Sequence, residues 1–129
     1  WMGMDRMALD LYRHAVDIDL GPNPNSSDEG IHSAAMGGIW QCDVCGFAGL
    51  RWEDGRPALE NHLPAEWKSM TFKICWRGTW IRVSLTEGQI TVEHLSGPEL
   101  ALTLNGREYV LEPGKAVSDK GGKGGAQDV

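Results

Sequence analysis

The residues most able to do chemistry in this sequence lie where a predicted helix begins, near residue 31. Ser26, Ser27 and His32 stand there, and their hydroxyl and imidazole groups can donate hydrogen bonds. A helix N-terminus adds free amides and the positive end of the helix dipole, which favour an anion such as phosphate. Asp28 and Glu29 oppose this interpretation, because two carboxylates repel an anion unless they point away. The alternative is a plain capping cluster.

A Cys-x-x-Cys pair, Cys42 and Cys45, has the spacing of zinc sites and redox motifs. A structural zinc needs four ligands, and the other candidates are scattered along the chain: His14, His62, Cys75 and His94. We therefore expect no metal, and we expect the two thiols to be small apolar fillers of a helix. Three cysteines make no disulfide framework, which favours a reducing, cytoplasmic location.

Tryptophan side chains could stack on sugar rings. Trp80 points outward on its predicted strand beside Arg82 and is the candidate for such a carbohydrate platform. Four other tryptophans stand at positions that also suit packing in the core or between layers: Trp40, Trp52, Trp67 and Trp76.

Two helices are predicted to position the His32 cluster. Apolar residues recur at three- and four-residue spacing between Met4 and Ile18, which predicts an amphipathic helix over about residues 4–16. Residues 21–24 hold a glycine and two prolines that end it. Residues 31–47 are apolar or small on nearly every face, which predicts a helix buried on all sides. Gly37 and Gly38 in its middle predict a close approach of another backbone.

After Gly49 the apolar period changes from 3.6 to 2, which indicates strands. Turn residues at Glu53-Asp54-Gly55 and at Asn105-Gly106 predict hairpins. The fold class expected is α+β, with a helical hairpin packed on an antiparallel β-sandwich of about six or seven strands. The glycine-rich residues 114–129 have no apolar period and are predicted to be disordered.

Charge and hydropathy exclude several classes of partner. The formal net charge is −6, and no stripe of lysine or arginine is present to neutralise phosphates, which argues against nucleic acid. The longest apolar run is interrupted by polar residues and is too short to span a bilayer, so no membrane association is expected.

Several motifs in order carry a resemblance to a known family. They are GIHSAAMGGIWQ, GFAGLRW, HLPAEW and WRG, preceded by the Asp19-Leu20 pair. The chain resembles the C-terminal region of the maltose, trehalose and kojibiose phosphorylases, glycoside hydrolase family sixty-five. The resemblance implies that residues 1–47 are the last helices of an (α/α)6 barrel and that residues 48–113 are the C-terminal sandwich.

The resemblance also implies a function. It makes His32 a phosphate ligand, with Ser26, Ser27 and Gly30 beside it, and makes inorganic phosphate a co-substrate with no other cofactor. Phosphorolysis needs a general acid opposite the phosphate, and none of the carboxylates here lies in a motif that pairs with His32. We therefore expect a mainly structural part of an inverting α-glucoside phosphorylase or hydrolase, inactive alone.

An alternative function is a free-standing module that binds carbohydrate or protein without catalysis. In either case phosphate and a disaccharide are the expected small-molecule partners. The all-apolar helix needs a further cover, which predicts a homodimer or a missing barrel domain.

Overall fold

The computed structural model describes residues 3–21 and 32–121. Helix α1 spans Asp5–Leu20 and helix α2 spans Ser33–Gln41, and a π-helical segment, Cys42–Phe47, continues α2. The predicted first helix is thus confirmed and one turn longer at its C-terminal end. The helix predicted over residues 31–47 is divided into an α-helical and a π-helical part, while Ile31 lies outside the described residues.

The described residues form eight strands after the helices: β1 Arg51–Glu53, β2 Arg56–Leu59, β3 Ser69–Trp76, β4 Thr79–Thr86, β5 Gln89–Ser96, β6 Leu100–Leu104, β7 Arg107–Leu111 and β8 Ala116–Lys120. They make two four-stranded sheets with the orders β1-β2-β6-β7 and β3-β4-β5-β8. The predicted sandwich is confirmed, with eight strands among the described residues where six or seven were predicted. The pairing of β2 with β6 is parallel and departs from the antiparallel pattern expected.

The two-residue period places one face of each sheet in a shared core. In β4, Ile81, Val83 and Leu85 are fully buried while the residues between them face outward. Strands β5 and β6 alternate in the same way, because side chains of a strand point to opposite faces. The π-helical segment adds Val44 to this core, and so attaches the helices to the sandwich.

Three hairpins have two-residue turns in which both residues adopt positive φ. The turns are Asp54-Gly55, Arg77-Gly78 and Asn105-Gly106. This conformation matches the twist of paired strands, and Asn-Gly and Asp-Gly adopt it readily. The hairpins predicted at Asp54-Gly55 and Asn105-Gly106 are confirmed.

Strand β8 corrects the prediction for the C-terminal segment. Residues 114–129 were expected to be disordered, yet Ala116–Lys120 pairs antiparallel with β5 over five residues. The strand shows no apolar period because the residue that it buries fully is the carboxylate Asp119. Its apolar residue, Val117, is only half-buried. Residues 122–129 lie outside the described residues.

The apolar stripe of α1 faces solvent. Met4, Met7, Leu11 and Ile18 are between 45% and 63% exposed, whereas Leu9 on another side of the helix is buried. The helical period is confirmed, but these four apolar residues are not packed against the core of the described residues.

Helix α2 is not enclosed either. None of its residues is buried, and a Cβ added at Gly37 or Gly38 would meet no atom within 4 Å. The predictions of an all-round buried helix and of a close backbone approach are therefore wrong within the described part of the chain. No helix among the described residues is long and apolar enough to cross a membrane.

Candidate functional site

His32 immediately precedes α2 and is held by α1. Its Nδ1 lies 2.6 Å from Oδ1 of Asp19, and its backbone amide donates to the same oxygen at 3.2 Å. A carboxylate from one helix thus accepts two hydrogen bonds at the start of the other. The pair fixes both the ring of His32 and the beginning of α2.

The two partners differ in their access to solvent. The Asp19 side chain is 3% exposed, while that of His32 is 51% exposed. The side-chain hydrogen bond from His32 lowers the pKa of Asp19 against the opposing effect of desolvation. Asp19 is therefore an ionised carboxylate at neutral pH. Its second oxygen, Oδ2, is buried and has no hydrogen-bond partner among the described residues.

The second ring nitrogen of His32, Nε2, takes no part in the contact with Asp19. Nδ1 is occupied by Asp19, and the described residues give Nε2 no hydrogen bond. The other predicted members of the cluster, Ser26, Ser27 and Gly30, lie outside the described residues, as do Asp28 and Glu29. The structure therefore places His32 and brings it together with Asp19, a residue that sequence reasoning noted only within the family motif.

A second candidate site lies on the outer face of β3 and β4. A cleft of about 330 Å³ is lined by Trp40, Leu50, Trp52, Lys73, Ile74, Cys75 and Trp80. Trp80 is 48% exposed there, and Trp40 and Trp52 are about half exposed as well. Neither Trp40 nor Trp52 is a core residue, although Trp52 does pack between the two sheets, where its ring stacks on that of Trp76. Arg82 forms an ion pair with Glu93 on the neighbouring strand at 2.6 Å and does not line the cleft.

The other two tryptophans pack against protein. Trp52 and Trp76 stack with their ring centroids 4.0 Å apart, and Trp76 packs on the core. Trp67 contacts the rings of Tyr12 and Phe47 and so ties α1 to the π-helical segment. The packing role predicted for Trp67 and Trp76 is confirmed.

Sequence reasoning missed a half-buried polar pair, Tyr12 of α1 and Asp43 of the π-helical segment. The pKa of Tyr12 is raised to about 12, mainly by burial and to a smaller extent by a hydrogen bond to Asp43. Burial also raises the pKa of Asp43, whose Oδ1 is buried and unpartnered among the described residues. The π-helical geometry that brings Asp43 to Tyr12 leaves no signal in residue spacing.

The cysteines are not core fillers. Cys42, Cys45 and Cys75 are all free thiols and all exposed, so that prediction is wrong. The part of the chain that the structure describes contains no cluster of three or more potential metal ligands.

Comparison with known proteins identifies the family. Residues 50–111 match the family model "Glycosyl hydrolase family 65, C-terminal domain", and residues 2–41 match "Glycosyl hydrolase family 65 central catalytic domain". Two models of one family, in this order, account for most of the sequence. The chain belongs to glycoside hydrolase family 65.

Relatives within family 65 are phosphorylases by name. The chain is 35% identical over 115 residues to a kojibiose phosphorylase of Halothermothrix orenii, covering 85% of this chain and 15% of that protein. It is 37% identical over 105 residues to a kojibiose phosphorylase of Escherichia coli, covering 81% and 14%. It is 34% identical over 104 residues to an alpha,alpha-trehalose phosphorylase of Geobacillus stearothermophilus, covering 81% and 14%.

A solved structure supports the fold. A putative kojibiose phosphorylase from human microbiome superposes with a TM-score of 0.81 at 21% identity, covering 99% of this chain and 18% of that one. The helices and sandwich of this chain therefore share the fold of the matching region of that protein. The chain spans about 15% of the length of the curated relatives.

Proposed function

We propose that this chain supplies the C-terminal part of an inverting α-glucoside phosphorylase or hydrolase, and that His32 contacts the inorganic phosphate co-substrate. The observation that carries the proposal is the His32–Asp19 pair at the start of α2, with Nε2 directed away from the pair. A histidine at a helix N-terminus is suited to an anion, because the helix dipole and the imidazole act together. Ser26, Ser27 and Gly30 belong to the same proposal by the family resemblance.

The chain is proposed to be inactive alone and mainly structural. Phosphorolysis requires a general acid placed opposite the attacking phosphate. The carboxylate that the structure pairs with His32 is Asp19, which is 3% exposed and cannot reach a glycosidic oxygen without leaving His32. Catalysis would therefore need the part of a family 65 protein that this chain does not span, and a disaccharide would bind only with that part.

The apolar stripe of α1 supports a partner for this chain. We define it as Met4, Met7, Leu11 and Ile18, which are all exposed. In the complete protein the stripe would pack on the rest of the catalytic domain, and in the isolated chain it would form a homodimer. A cytoplasmic location fits the three exposed thiols, which persist in a reducing compartment.

Phosphate binding and turnover test the proposal in one set of samples. Isothermal titration of the chain with phosphate at neutral pH should show weak binding. His32→Gln should abolish binding, while His14→Gln, an exposed histidine on α1, should leave it unchanged. Turnover of maltose, trehalose or kojibiose with phosphate by the chain alone would contradict the proposed inactivity. Equal binding by wild type and His32→Gln would refute the phosphate role.

The alternative, a carbohydrate-binding module, is favoured by the tryptophan cleft. Three half-exposed indoles line this cleft: Trp40, Trp52 and Trp80. The cleft volume of about 330 Å³ lies within the range of small-molecule sites. Affinity electrophoresis through α-glucan gels should retard the wild type more than Trp80→Ala. Arg82→Ala is the matched control, because Arg82 is paired with Glu93 outside the cleft. Equal mobility of wild type with and without glucan would reject this alternative.

A further inference from the structure

The tryptophan cleft on the outer face of β3 and β4 contains a single charged side chain among the described residues. Three indoles line it from three separate elements: Trp40 of α2, Trp52 of β1 and Trp80 of β4. Lys73 of β3 also lines it, and the other lining residues have neither a carboxylate nor a basic group. The charge of the cleft therefore comes from Lys73.

The strand register places Lys73 beside Trp80. In the β3–β4 ladder Cys75 lies opposite Trp80, and Lys73 lies two positions from Cys75 along β3. Residues two apart on a strand share a face and are separated by about 7 Å. Lys73 and Trp80 are both exposed on the outer face. The long lysine side chain can therefore reach a substituent of a ligand that lies on the indole.

Lys73 has no counter-ion among the described residues. Its partner across the ladder, Arg82, is paired with Glu93 at 2.6 Å. Lys73 itself forms no ion pair with any carboxylate that the structure describes. The chain as a whole has a formal net charge of −6, so a cation between three indoles is a local exception. The cleft therefore offers aromatic faces together with one unmatched positive charge.

The ring of Trp52 is held in place before any ligand binds. Its centroid lies 4.0 Å from that of Trp76, and the two ring planes are 19° from parallel. Trp52 is nevertheless 50% exposed, so the part that borders the cleft is open to a ligand. A side chain that is already ordered loses little conformational entropy on binding.

We infer that the tryptophan cleft binds an acidic sugar, a pyranose ring that carries one carboxylate. The C–H face of the ring packs on an indole, and the carboxylate accepts a hydrogen bond from the Lys73 ammonium group. One cation matches one negative charge, whereas a phosphate ester would bring about 1.5 to 2 negative charges to a chain that is already negative. The inference rests on the carbohydrate-binding alternative proposed above and names its class of ligand.

Affinity electrophoresis of the full chain through gels that contain polygalacturonate or amylose tests the inference. Both polymers are α-linked pyranose chains, and only the first carries carboxylates. Wild type should bind polygalacturonate about fivefold more tightly than amylose, a difference typical of one exposed ion pair. Lys73→Gln should remove this difference and leave amylose binding unchanged. Lys68→Gln removes the same charge at an exposed position outside the cleft and should behave as wild type.

Competition with small probes separates the two kinds of anionic group. Glucuronate should release wild type from polygalacturonate at about fivefold lower concentration than glucose 6-phosphate does, and the reverse order would overturn the assignment of a carboxylate. Unchanged polygalacturonate binding by Lys73→Gln, or retardation that Trp80→Ala does not reduce, would overturn the inference, while retardation by amylose would keep the carbohydrate-binding alternative standing. Retardation by neither polymer would overturn both.

Discussion

The hydroxyl of Tyr109 on β7 donates a 2.6 Å hydrogen bond to Oδ2 of Asp119 on β8 and so joins the two sheets of the sandwich. Arg107 and Asn105 also approach this carboxylate, each at 3.4 Å. The Asp119 side chain is completely inaccessible to solvent. A buried carboxylate with three polar partners fastens β8 at the outer edge of its sheet to the β6–β7 hairpin of the other sheet.

Removal of this carboxylate should loosen the sandwich. Asp119→Ala leaves the Tyr109 hydroxyl without its acceptor, and we expect the free energy of unfolding to fall by about 2 kcal/mol and Tm by roughly 8 °C. Glu87→Ala removes an exposed carboxylate from the β4–β5 turn and should change the free energy by less than about 0.5 kcal/mol. Thermal unfolding followed by circular dichroism measures both. Equal Tm values for the two variants would show that β8 is not held by Asp119.

The same pair should limit stability at both ends of the pH range. The hydrogen bond from Tyr109 lowers the pKa of Asp119, and the bond to Asp119 raises the pKa of Tyr109. The contribution of Asp119 is complete above its unfolded pKa of about 3.9 and is lost as the pH falls through the lower folded value. The contribution of Tyr109 is complete below about pH 10 and is lost as the pH rises through the higher folded value.

The difference in Tm between wild type and Tyr109→Phe should therefore be constant from about pH 4 to about pH 10 and should shrink outside that window. Thr71→Val, at an exposed position of β3, is the control variant. Tyr12→Phe is unsuitable as a control because the Tyr12 hydroxyl is hydrogen-bonded to Asp43. A Tyr109→Phe difference that shrinks between about pH 5 and about pH 9 would contradict the assignment.

The strands of this fold could be predicted from the sequence because their period is local. Most inward residues of β4 and β5 are apolar, namely Ile81, Val83, Leu85, Ile90 and Val92, and each two-residue turn contains a glycine. Strand β8 could not be predicted, since its buried residue is Asp119 and its partner β5 is more than twenty residues away. Burial of a charged side chain reverses the pattern on which strand prediction depends.

The candidate site was predictable in part for a similar reason. His32 was found because a capping cluster and a family motif mark the start of α2. Its pairing with Asp19 crosses thirteen positions and a proline-containing break, so neither helical nor strand spacing indicates it. The stripe of α1 was found by its period, but period alone identifies an apolar face and says nothing of what covers it.

Two glycines with positive φ should differ in their tolerance of a side chain. A Cβ at Gly97, where φ is 100°, would overlap the backbone carbonyl of Gly78, whereas Gly106, where φ is 80°, opens to free space. Gly106→Ala should cost about 1 kcal/mol of unfolding free energy from backbone strain alone. Gly97→Ala should cost roughly 3 kcal/mol or more, because the β3–β4 turn must move. Urea unfolding of the two variants compares them directly, and a Gly97→Ala cost no larger than that of Gly106→Ala would exclude the steric account.

Self-association should follow from the apolar stripe of α1. Met4, Met7, Leu11 and Ile18 recur at three, four and seven positions, so they form one continuous face of the helix, and each is about half exposed. A strip of some hundreds of Å² is larger than monomers commonly leave in water. At about 25 cal/mol per Å², hiding it is worth on the order of 10 kcal/mol before the several kcal/mol lost on association.

The isolated chain should therefore sediment as a symmetric dimer at micromolar concentration. Leu11→Glu should dissociate this dimer, because it would bury a carboxylate without a partner in the centre of the interface. Arg6→Gln changes the net charge by the same amount on the same helix and should leave the dimer intact. Sedimentation velocity distinguishes the two forms by mass. A wild-type species of 14.2 kDa, or a dimer that survives Leu11→Glu, would show that the stripe does not mediate self-association. The rest of the catalytic domain would then remain as the proposed partner of the stripe.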